Sequence, residues 1–106
     1  MLSCMPRPPS ARLENGEPFT YSGDIIQTEL KELLDHFQAL SVPKAPIIEI
    51  WKQNVDHSSD KNIVKTIYRI VVAEDEGEFA YRVEHNCRSY NKCDWRIDYV
   101  GKLSRV

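Results

Sequence analysis

Glycine and long apolar segments are both scarce in this sequence. Its four scattered glycines cannot supply the glycine-rich loop with which many nucleotide-binding proteins hold phosphates. The longest apolar runs, such as residues 70–73, span a few positions, whereas a membrane-spanning helix needs about 20. The N-terminal segment also lacks an apolar stretch of the length found in secretory signals. We therefore expect no membrane insertion, and we expect a cytoplasmic protein, with the nucleus as an additional location.

Charge of one sign does not dominate either. The 14 Lys and Arg residues nearly balance the 16 Asp and Glu residues, which leaves a net charge of −2. So small a net charge gives no strong attraction to nucleic acid or to an acidic membrane, and nucleic acid is a disfavoured partner. The length of 106 residues and the apolar content of 42% suit one hydrophobic core and hence one domain.

Cysteine is present in an odd number. The three cysteines, Cys4, Cys87 and Cys93, cannot all pair with one another. Because no secretory signal precedes them, we expect a reducing environment and three free thiols. A bridge between Cys87 and Cys93 would require oxidising conditions and two chain segments that approach each other as in a hairpin.

Proline is concentrated near the N-terminus. Residues 1–23 contain four of the six prolines. A proline lacks the backbone N–H and fixes φ, so closely spaced prolines interrupt both helices and strand ladders. We therefore predict a flexible, disordered lead-in over residues 1–23 and a single α+β domain over residues 24–106.

Beyond this lead-in, apolar residues recur every three or four positions, which is the period of an amphipathic helix. The predicted apolar stripe consists of Ile25, Ile26, Leu30, Leu33, Leu34, Phe37 and Leu40. Asp24 and Gln27 fit a capping box at the start of this helix, and the prolines beyond residue 42 end it. Three acidic residues are predicted to face water on the opposite side: Glu29, Glu32 and Asp35.

Several later segments have the composition of β-strands. Residues 47–55 fit either a helix that begins after Pro46 or a β-branched strand, and their short length favours the strand. Residues 63–73 are rich in Ile, Val and Tyr, and the alternation in residues 79–84 supplies an antiparallel partner beyond an acidic turn. Residues 93–99 alternate most regularly. We therefore predict one amphipathic helix packed on a three- to four-stranded antiparallel β-meander.

Side chains that bind zinc or support nucleophilic catalysis occur together in one region. His85, Cys87 and Cys93, with His57 as a fourth member, are donors of the type that zinc prefers. Structural zinc sites usually contain two cysteines separated by two to four residues, and here five intervene, so we predict no metal site. The same residues offer a Cys–His pair but no group that would orient it. We predict no catalytic residues, no cofactor and a protein that is not an enzyme.

Aromatic and basic residues both occur near the C-terminus. The last 20 residues contain five cations, two carboxylates and several aromatic side chains. A sheet face that combines aromatic and cationic groups can stack bases and bind phosphates. In an alternating strand, however, Trp95 and Tyr99 lie on the face opposite Arg96. The two kinds of group therefore do not converge on one nucleic-acid-binding surface.

Two motifs resemble the COMM-domain family of non-catalytic adaptor proteins. The first motif resembles the helical stretch ahead of that domain, and it consists of Glu29-Leu30-x-x-Leu33, Val42-Pro43 and Trp51-Lys52-Gln53-Asn54. The second motif resembles the strand that opens the domain and begins with a tryptophan, and its sequence is Asp94-Trp95-Arg96-Ile97-Asp98-Tyr99. The predicted hairpin between them replaces a shorter helical connector, and the chain ends soon after the second motif. The resemblance therefore implies a truncated or alternative form, with a protein-binding role in endosomal sorting or transcriptional regulation.

The favoured function is a non-enzymatic protein–protein interaction module or adaptor, because no reaction centre is recognisable and sheet edges pair with other chains. The expected partner is an unidentified protein, and a homo- or hetero-oligomer through a sheet edge is a further expectation. The interaction candidates are Trp51, Tyr90, Trp95, Arg96 and Tyr99. The alternative function is a helix-on-sheet domain that binds a small ligand or single-stranded nucleic acid, which requires a pocket or a basic aromatic face.

Overall fold

The computed structural model describes residues 8–12, 18–39, 46–57, 63–88 and 92–103. This part of the chain forms one helix and six strands. In chain order they are β1 Ser10–Arg12, β2 Pro18–Tyr21, α1 Gln27–Ala39, β3 Ile47–His57, β4 Ile63–Glu74, β5 Gly77–Arg88 and β6 Lys92–Leu103. Over the same residues, α1 is too short and too polar to cross a membrane.

The six strands belong to one sheet in the order β1-β2-β3-β4-β5-β6. Strands β3 to β6 form an antiparallel meander, β1 pairs antiparallel with β2, and β2 runs parallel to β3. The predicted α+β class with a helix and a sheet is confirmed. The predicted count of three to four strands and the purely antiparallel sheet are wrong, because two N-terminal strands extend the meander. The α1 connection between β2 and β3 makes a parallel pair possible.

Both additional strands lie within the predicted lead-in. Pro18 is the first residue of β2, a position where proline is tolerated because its missing N–H removes little of the ladder. Phe19 and Tyr21 are 2% and 6% exposed and belong to the core, so the core extends across the predicted domain boundary. Residues 1–7 and 13–17 lie outside the described residues, and the disorder predicted for them stays a prediction.

The first turn of α1 is capped by a different residue from the one that the sequence suggested. The N–H of Ile26 donates to Oε1 of Glu29 at 3.3 Å, and the N–H of Leu30 donates to the carbonyl of Ile26 at 2.9 Å. Because the helix begins at Gln27, the reciprocal position of a capping box falls on Glu29. The capping role predicted for Gln27 was therefore wrong.

The apolar stripe of the helix is largely as predicted. The stripe residues that are buried are Ile25, Leu30, Leu33 and Phe37, and Leu34 is partly buried. Ile26 is 65% exposed, because the chain buries Ile25 instead in the turn before the helix. Leu40 lies outside the described residues. Glu32 and Asp35 are exposed as predicted, whereas the side chain of Glu29 is only 21% exposed and contacts the sheet.

Residues 47–55 are a strand, which resolves the ambiguity of that segment. Register shifts between Ile47 and Glu49, and between Lys52 and Asn54, interrupt the β3–β4 ladder. The first shift lets Ile47 and Ile50, which strict alternation would place on opposite faces, both become buried.

The predicted hairpin and the final strand are both present. In the β4–β5 pair, Glu74 lies opposite Gly77, so the two-residue turn is formed by residues 75–76. The β5–β6 ladder then runs from Glu78 opposite Leu103 to Arg88 opposite Lys92, with one register shift between Ala80 and Tyr81. These three long strands form the platform on which the site is built.

Helix α1 covers one face of this platform. The cluster of buried core residues combines side chains of β2, of α1 and the turn before it, and of β3 to β5: Phe19, Tyr21, Ile25, Leu30, Leu33, Phe37, Ile47, Ile50, Tyr68, Ile70, Val72, Tyr81 and Val83. Trp95 and Ile97 of β6 pack against it and are partly buried. Burial of so many large apolar side chains is the main contribution that stabilises the helix-on-sheet arrangement.

Candidate functional site between the helix and the sheet

A cavity of about 290 Å³ lies between the N-terminal half of α1 and strands β4 to β6 of the sheet. Its volume is near the lower limit of cavities that bind small molecules, which is about 300 Å³. The lining residues are Thr28, Glu29, Glu32, Val64, Thr66, Tyr68, His85, Cys87 and Trp95. We refer to this cavity as the helix–sheet pocket.

Secondary-structure periodicity explains why these side chains converge. On α1, Glu29 and Glu32 are three positions apart and therefore lie on the same side of the helix. Along a strand, every second residue points to the same face. Thr66 lies opposite His85, which in turn lies opposite Trp95 on β6, so three neighbouring strands each contribute a side chain to one wall.

Glu29 connects the helix to the sheet through several contacts. Its Oε2 accepts a hydrogen bond from the Tyr68 hydroxyl and lies 3.0 Å from Nζ of Lys52. Its Oε1 caps the helix through Ile26. The carboxylate therefore joins the helix to both β3 and β4, in a position where its side chain and that of Lys52 are 21% and 18% exposed.

The hydroxyl group of Tyr68 stays protonated and acts as a hydrogen-bond donor to Glu29. Its side chain is 1% exposed. Burial is the main cause that raises the pKa of Tyr68 far above its ordinary value, and the hydrogen bond to Glu29 and the charges of Glu29, Glu32 and Asp24 raise it further. The hydroxyl therefore keeps its proton at any physiological pH.

Trp95 lines the pocket and stacks with two imidazole rings. The ring of His85 is stacked on it with a centroid distance of 3.9 Å and an angle of 13°. The ring of His36, from α1, is stacked at 4.6 Å and 17°. The indole of Trp95 is thus stacked with rings from both β5 and α1.

His85 is biased toward its neutral form. Burial is the largest cause that lowers its pKa below the ordinary value, and the charge of His36 lowers it further. The carboxylates of Glu32 and Glu29 act in the opposite direction. A neutral imidazole offers one donor and one acceptor nitrogen to its surroundings.

A disulfide joins the ends of β5 and β6 beside the pocket. The Sγ atoms of Cys87 and Cys93 are 2.15 Å apart, and Nε2 of His85 is 3.2 Å from Sγ of Cys87. The expectation of free thiols was wrong for this pair, because the β5–β6 register brings the two cysteines directly opposite each other. Cys4 lies outside the described residues.

A second cavity, of about 500 Å³, lies between α1 and the β1–β2 pair. Its lining residues are Ala11, Arg12, Phe19, Gln27, Thr28, Leu30, Lys31, Leu34, Asp35 and Gln38. Lys31 and Asp35 on its rim form an ion pair at 3.0 Å. The charges at this groove are therefore already partly matched within the chain.

The structure distributes the predicted interaction residues over both faces of the sheet. Trp95 lines the pocket. Tyr99 lies four residues further along β6 and is 59% exposed. The centroid of its ring is 5.4 Å from that of the Tyr81 ring. Arg96 lies on the opposite face, where its Nε is 3.1 Å from Oδ2 of Asp98.

Trp51 also points away from the helix. Ile50 belongs to the core beneath α1 and Lys52 contacts Glu29 of α1, so Trp51 between them lies on the other face. Its indole N–H donates to Oε1 of Glu49 at 2.9 Å. Tyr90 lies outside the described residues. The structure therefore does not bring Trp51 and Arg96 together with Trp95 and Tyr99, and their role in an interaction stays a prediction.

Most pocket residues were missed by reasoning from the sequence. The helical pattern predicts that the acidic side chain of Glu29 faces solvent. Tyr68 lies in a β-branched segment whose composition is typical of any strand. One signal was present, because Tyr68 is a polar-tipped aromatic residue at a position that the alternation makes buried, and buried hydroxyls usually have a partner.

No protein-family model, curated protein or solved structure matches this chain. The resemblance to COMM-domain proteins and the cytoplasmic or nuclear location therefore stay predictions.

Proposed function

We propose that the chain binds a small organic cation in the helix–sheet pocket. The observation that carries this proposal is the charge of the lining: among the residues that the structure describes, it contains two carboxylates, Glu29 and Glu32, and neither Lys nor Arg. Lys52 balances Glu29 from the β3 side. Glu32, in contrast, approaches the cavity from the exposed side of α1, where it is placed to attract a positive charge.

The other walls suit a compact ligand with an apolar body. The indole of Trp95, the aliphatic part of Val64 and the Thr66 methyl group offer apolar contact, while the hydroxyl oxygen of Tyr68 and a nitrogen of His85 can form hydrogen bonds. A small cavity with a few directed polar groups is the usual form of a ligand site. A small ammonium ion therefore fits the size, the charge and the polarity of the pocket.

Choline and its neutral carbon isostere 3,3-dimethylbutanol provide a matched pair of probes, because they differ in charge and hardly in shape. We expect calorimetry or amide chemical-shift titration to show binding of choline and much weaker binding of the alcohol. We expect the shifts to occur at residues such as Thr66 and His85. Equal binding of both compounds, or binding of neither, would contradict the proposal.

Glu32→Gln tests the proposed attraction directly. The exchange removes the charge, keeps the shape, and should weaken choline binding by roughly threefold to tenfold, the latter being about 1.4 kcal/mol. Asp35→Asn is the matched control, because it removes one carboxylate from the same helix but lies outside the lining of this pocket. Equal weakening by both exchanges would show a general effect of protein charge.

A second candidate function is strand pairing with another protein at β6. This strand is the last of the sheet order, and it carries the exposed apolar residues Tyr99 and Val100, which are 59% and 62% exposed. Exposed sheet edges accept strands from partner chains. This candidate retains the adaptor role that the sequence predicts.

An affinity pull-down from cell lysate tests the second candidate. We expect a partner that is recovered with the wild-type chain and lost with Val100→Lys, because a charge on an edge strand opposes pairing. Arg96→Lys, on the same strand, serves as the control that keeps the charge. Recovery of the same proteins with Val100→Lys would contradict edge pairing.

A further inference from the structure

The pairing of β5 with β6 brings together three side chains whose spacing in the sequence is unlike that of a cysteine knuckle. Potential ligand atoms of His85, Cys87 and Cys93 all lie within 4.8 Å of one another. His85 and Cys87 share a face of β5 because they are two residues apart, and Cys93 lies directly opposite Cys87 on β6. The spacing rule for cysteine knuckles does not apply here, because strand pairing replaces the short loop.

We propose that the reduced chain binds one Zn²⁺ ion through Nε2 of His85 and the thiolates of Cys87 and Cys93. Imidazole and thiolate are the donors that zinc prefers, and these three residues leave one coordination position for water or a fourth ligand. His85 and Cys87 line the helix–sheet pocket, so the open position would face that cavity. This inference does not depend on the proposed binding of organic cations.

The geometry requires a small local adjustment only. In a tetrahedral zinc site, bond lengths of about 2.3 Å for sulfur and 2.0 to 2.1 Å for nitrogen place a sulfur and a nitrogen about 3.6 Å apart. The distance from Nε2 of His85 to Sγ of Cys87 is 3.2 Å. The two sulfur atoms have to separate to about 3.8 Å in such a site, a movement that side-chain rotation supplies once the bond between them is broken.

The stack on Trp95 holds the third ligand in place. The His85 ring lies nearly parallel to the indole at a centroid distance of 3.9 Å. A ligand whose ring is fixed by packing loses less conformational freedom when a metal binds. Trp95 is thus a positioning residue for His85 rather than a ligand.

The oxidation state of the cysteines decides whether the ion can bind. Tris(2-carboxyethyl)phosphine reduces the Cys87–Cys93 bond by two electrons. The phosphine takes the oxygen atom of one water molecule, and the two protons of that water go to the two sulfur atoms. Zinc binding then releases both protons, because the thiolate is the ligand form.

The test uses the full chain with Cys4→Ser, which removes the cysteine outside the described residues. Co²⁺ is added to oxidised and phosphine-reduced protein, and the thiolate-to-cobalt charge-transfer band and the visible bands of tetrahedral Co²⁺ are recorded. Zn²⁺ is then added in competition. We expect one equivalent of Co²⁺ to bind to the reduced protein, displaced by Zn²⁺, and no charge-transfer band with the oxidised protein.

Three variants identify the ligands. Cys87→Ser and Cys93→Ser should each abolish or strongly reduce the charge-transfer band. His85→Gln should weaken Zn²⁺ binding by roughly tenfold or more, since loss even of a residue that only supports a ligand costs about 10- to 100-fold. His36→Gln is the matched control, because His36 also stacks on Trp95 but is not in the group of three.

Circular dichroism of each reduced, metal-free variant establishes that it is folded before metal is added. The proposal is overturned if folded, reduced protein binds no more Co²⁺ than the oxidised form. It is also overturned if binding survives unchanged in both cysteine variants, or if His36→Gln weakens it as much as His85→Gln does.

Discussion

The hydroxyl group of Tyr68, in the middle of β4, donates a hydrogen bond to the carboxylate of Glu29, in the first turn of α1. This is a contact between residues 39 positions apart in the sequence. It joins β4, one of the two central strands of the sheet, to the helix that covers the sheet. Because Lys52 of β3 contacts the same carboxylate, three elements meet at one side chain.

The first prediction concerns this contact. Tyr68→Phe keeps the aromatic ring in the core but leaves Glu29 without its hydroxyl donor. A hydrogen bond to a charged group contributes about 1.5 to 3 kcal/mol, and water reaching the partly exposed carboxylate reduces the loss. We expect the free energy of unfolding, measured by urea denaturation, to fall by about 1 to 2 kcal/mol.

Tyr21→Phe is the matched control for this exchange. Tyr21 is also buried, but its hydroxyl oxygen accepts a hydrogen bond from the neutral amide of Gln27 at 3.2 Å. Loss of a neutral hydrogen bond should cost about 0.5 to 1 kcal/mol. Equal losses for the two variants would show that the charge of Glu29 contributes nothing to the Tyr68 contact.

The second prediction concerns the β4–β5 turn. Gly77 has φ of 136°, a backbone conformation that residues with a side chain rarely adopt. Gly77→Ala should therefore lower the free energy of unfolding by about 1 to 3 kcal/mol, as measured by urea denaturation. The added methyl group would lie 2.9 Å from Cε of Lys102, a flexible side chain that can move away.

Two other glycines separate the possible causes. Gly101 has φ of 145° and nothing within 4 Å of its added methyl group, so Gly101→Ala should show the backbone cost alone. Gly23→Ala, whose methyl group would lie 3.8 Å from Pro9, should change stability by no more than about 0.5 kcal/mol. An unchanged free energy of unfolding in Gly77→Ala would contradict the backbone strain assigned to a side chain at this position.

Local periodicity accounts for the parts of the fold that the sequence predicts correctly. The helical stripe of Leu30, Leu33 and Phe37 and the alternation along β5 and β6 are properties of short segments. The hairpin turn between β4 and β5 is likewise marked by local composition. These elements need no knowledge of distant residues.

The missed parts depend on contacts between distant segments. Strands β1 and β2 have three and four residues, and β2 is stabilised by pairing with β3 across α1, which no local pattern reveals. The helix–sheet pocket likewise depends on how α1 lies across the sheet. Glu29 and Tyr68 therefore become recognisable as a site only when the tertiary structure is known.

The third prediction concerns acid stability. The carboxylate of Glu84, in a residue that is 9% exposed, accepts a hydrogen bond from Nδ2 of Asn86 at 2.7 Å and lies 2.9 Å from Nη1 of Arg82. The hydrogen bond from Asn86 is the main cause that lowers the pKa of Glu84. Arg82 and the charge of Lys65 lower it further, and burial opposes the shift.

Because the folded-state pKa lies below the unfolded value, the unfolded chain binds more protons in this range. The stabilisation from Glu84 is therefore fully present above the unfolded pKa, about 4.3, and is lost as pH falls through the folded pKa. Glu84→Gln should lower stability at pH 7 and lose less stability on acidification than the wild type. Urea denaturation across this pH range measures both effects.

Asp35→Asn is the control for this prediction. The side chain of Asp35 is 61% exposed and forms an exposed pair with Lys31, which contributes little to stability. The free energy of unfolding of Asp35→Asn should therefore fall on acidification as much as that of the wild type does. If Glu84→Gln also follows the wild type, then the buried carboxylate does not contribute to acid sensitivity.

The fourth prediction concerns the Cys87–Cys93 bond. Its sequence separation is 6, and closing so short a loop removes little entropy from the unfolded chain. The loop-entropy relation gives about 2 kcal/mol for the stabilisation. In the Cys4→Ser background without metal, phosphine reduction should lower the free energy of unfolding by that amount, as measured by urea denaturation.

Replacing both cysteines distinguishes loss of the cross-link from other effects of the reductant. The variant with Cys87→Ser and Cys93→Ser, in the same background, should match the reduced protein in stability and should not respond to the phosphine. Because the bond constrains mainly the unfolded state, the fold seen by circular dichroism should be the same in all three samples. Unchanged stability on reduction would show that the bond imposes no useful constraint on the unfolded chain.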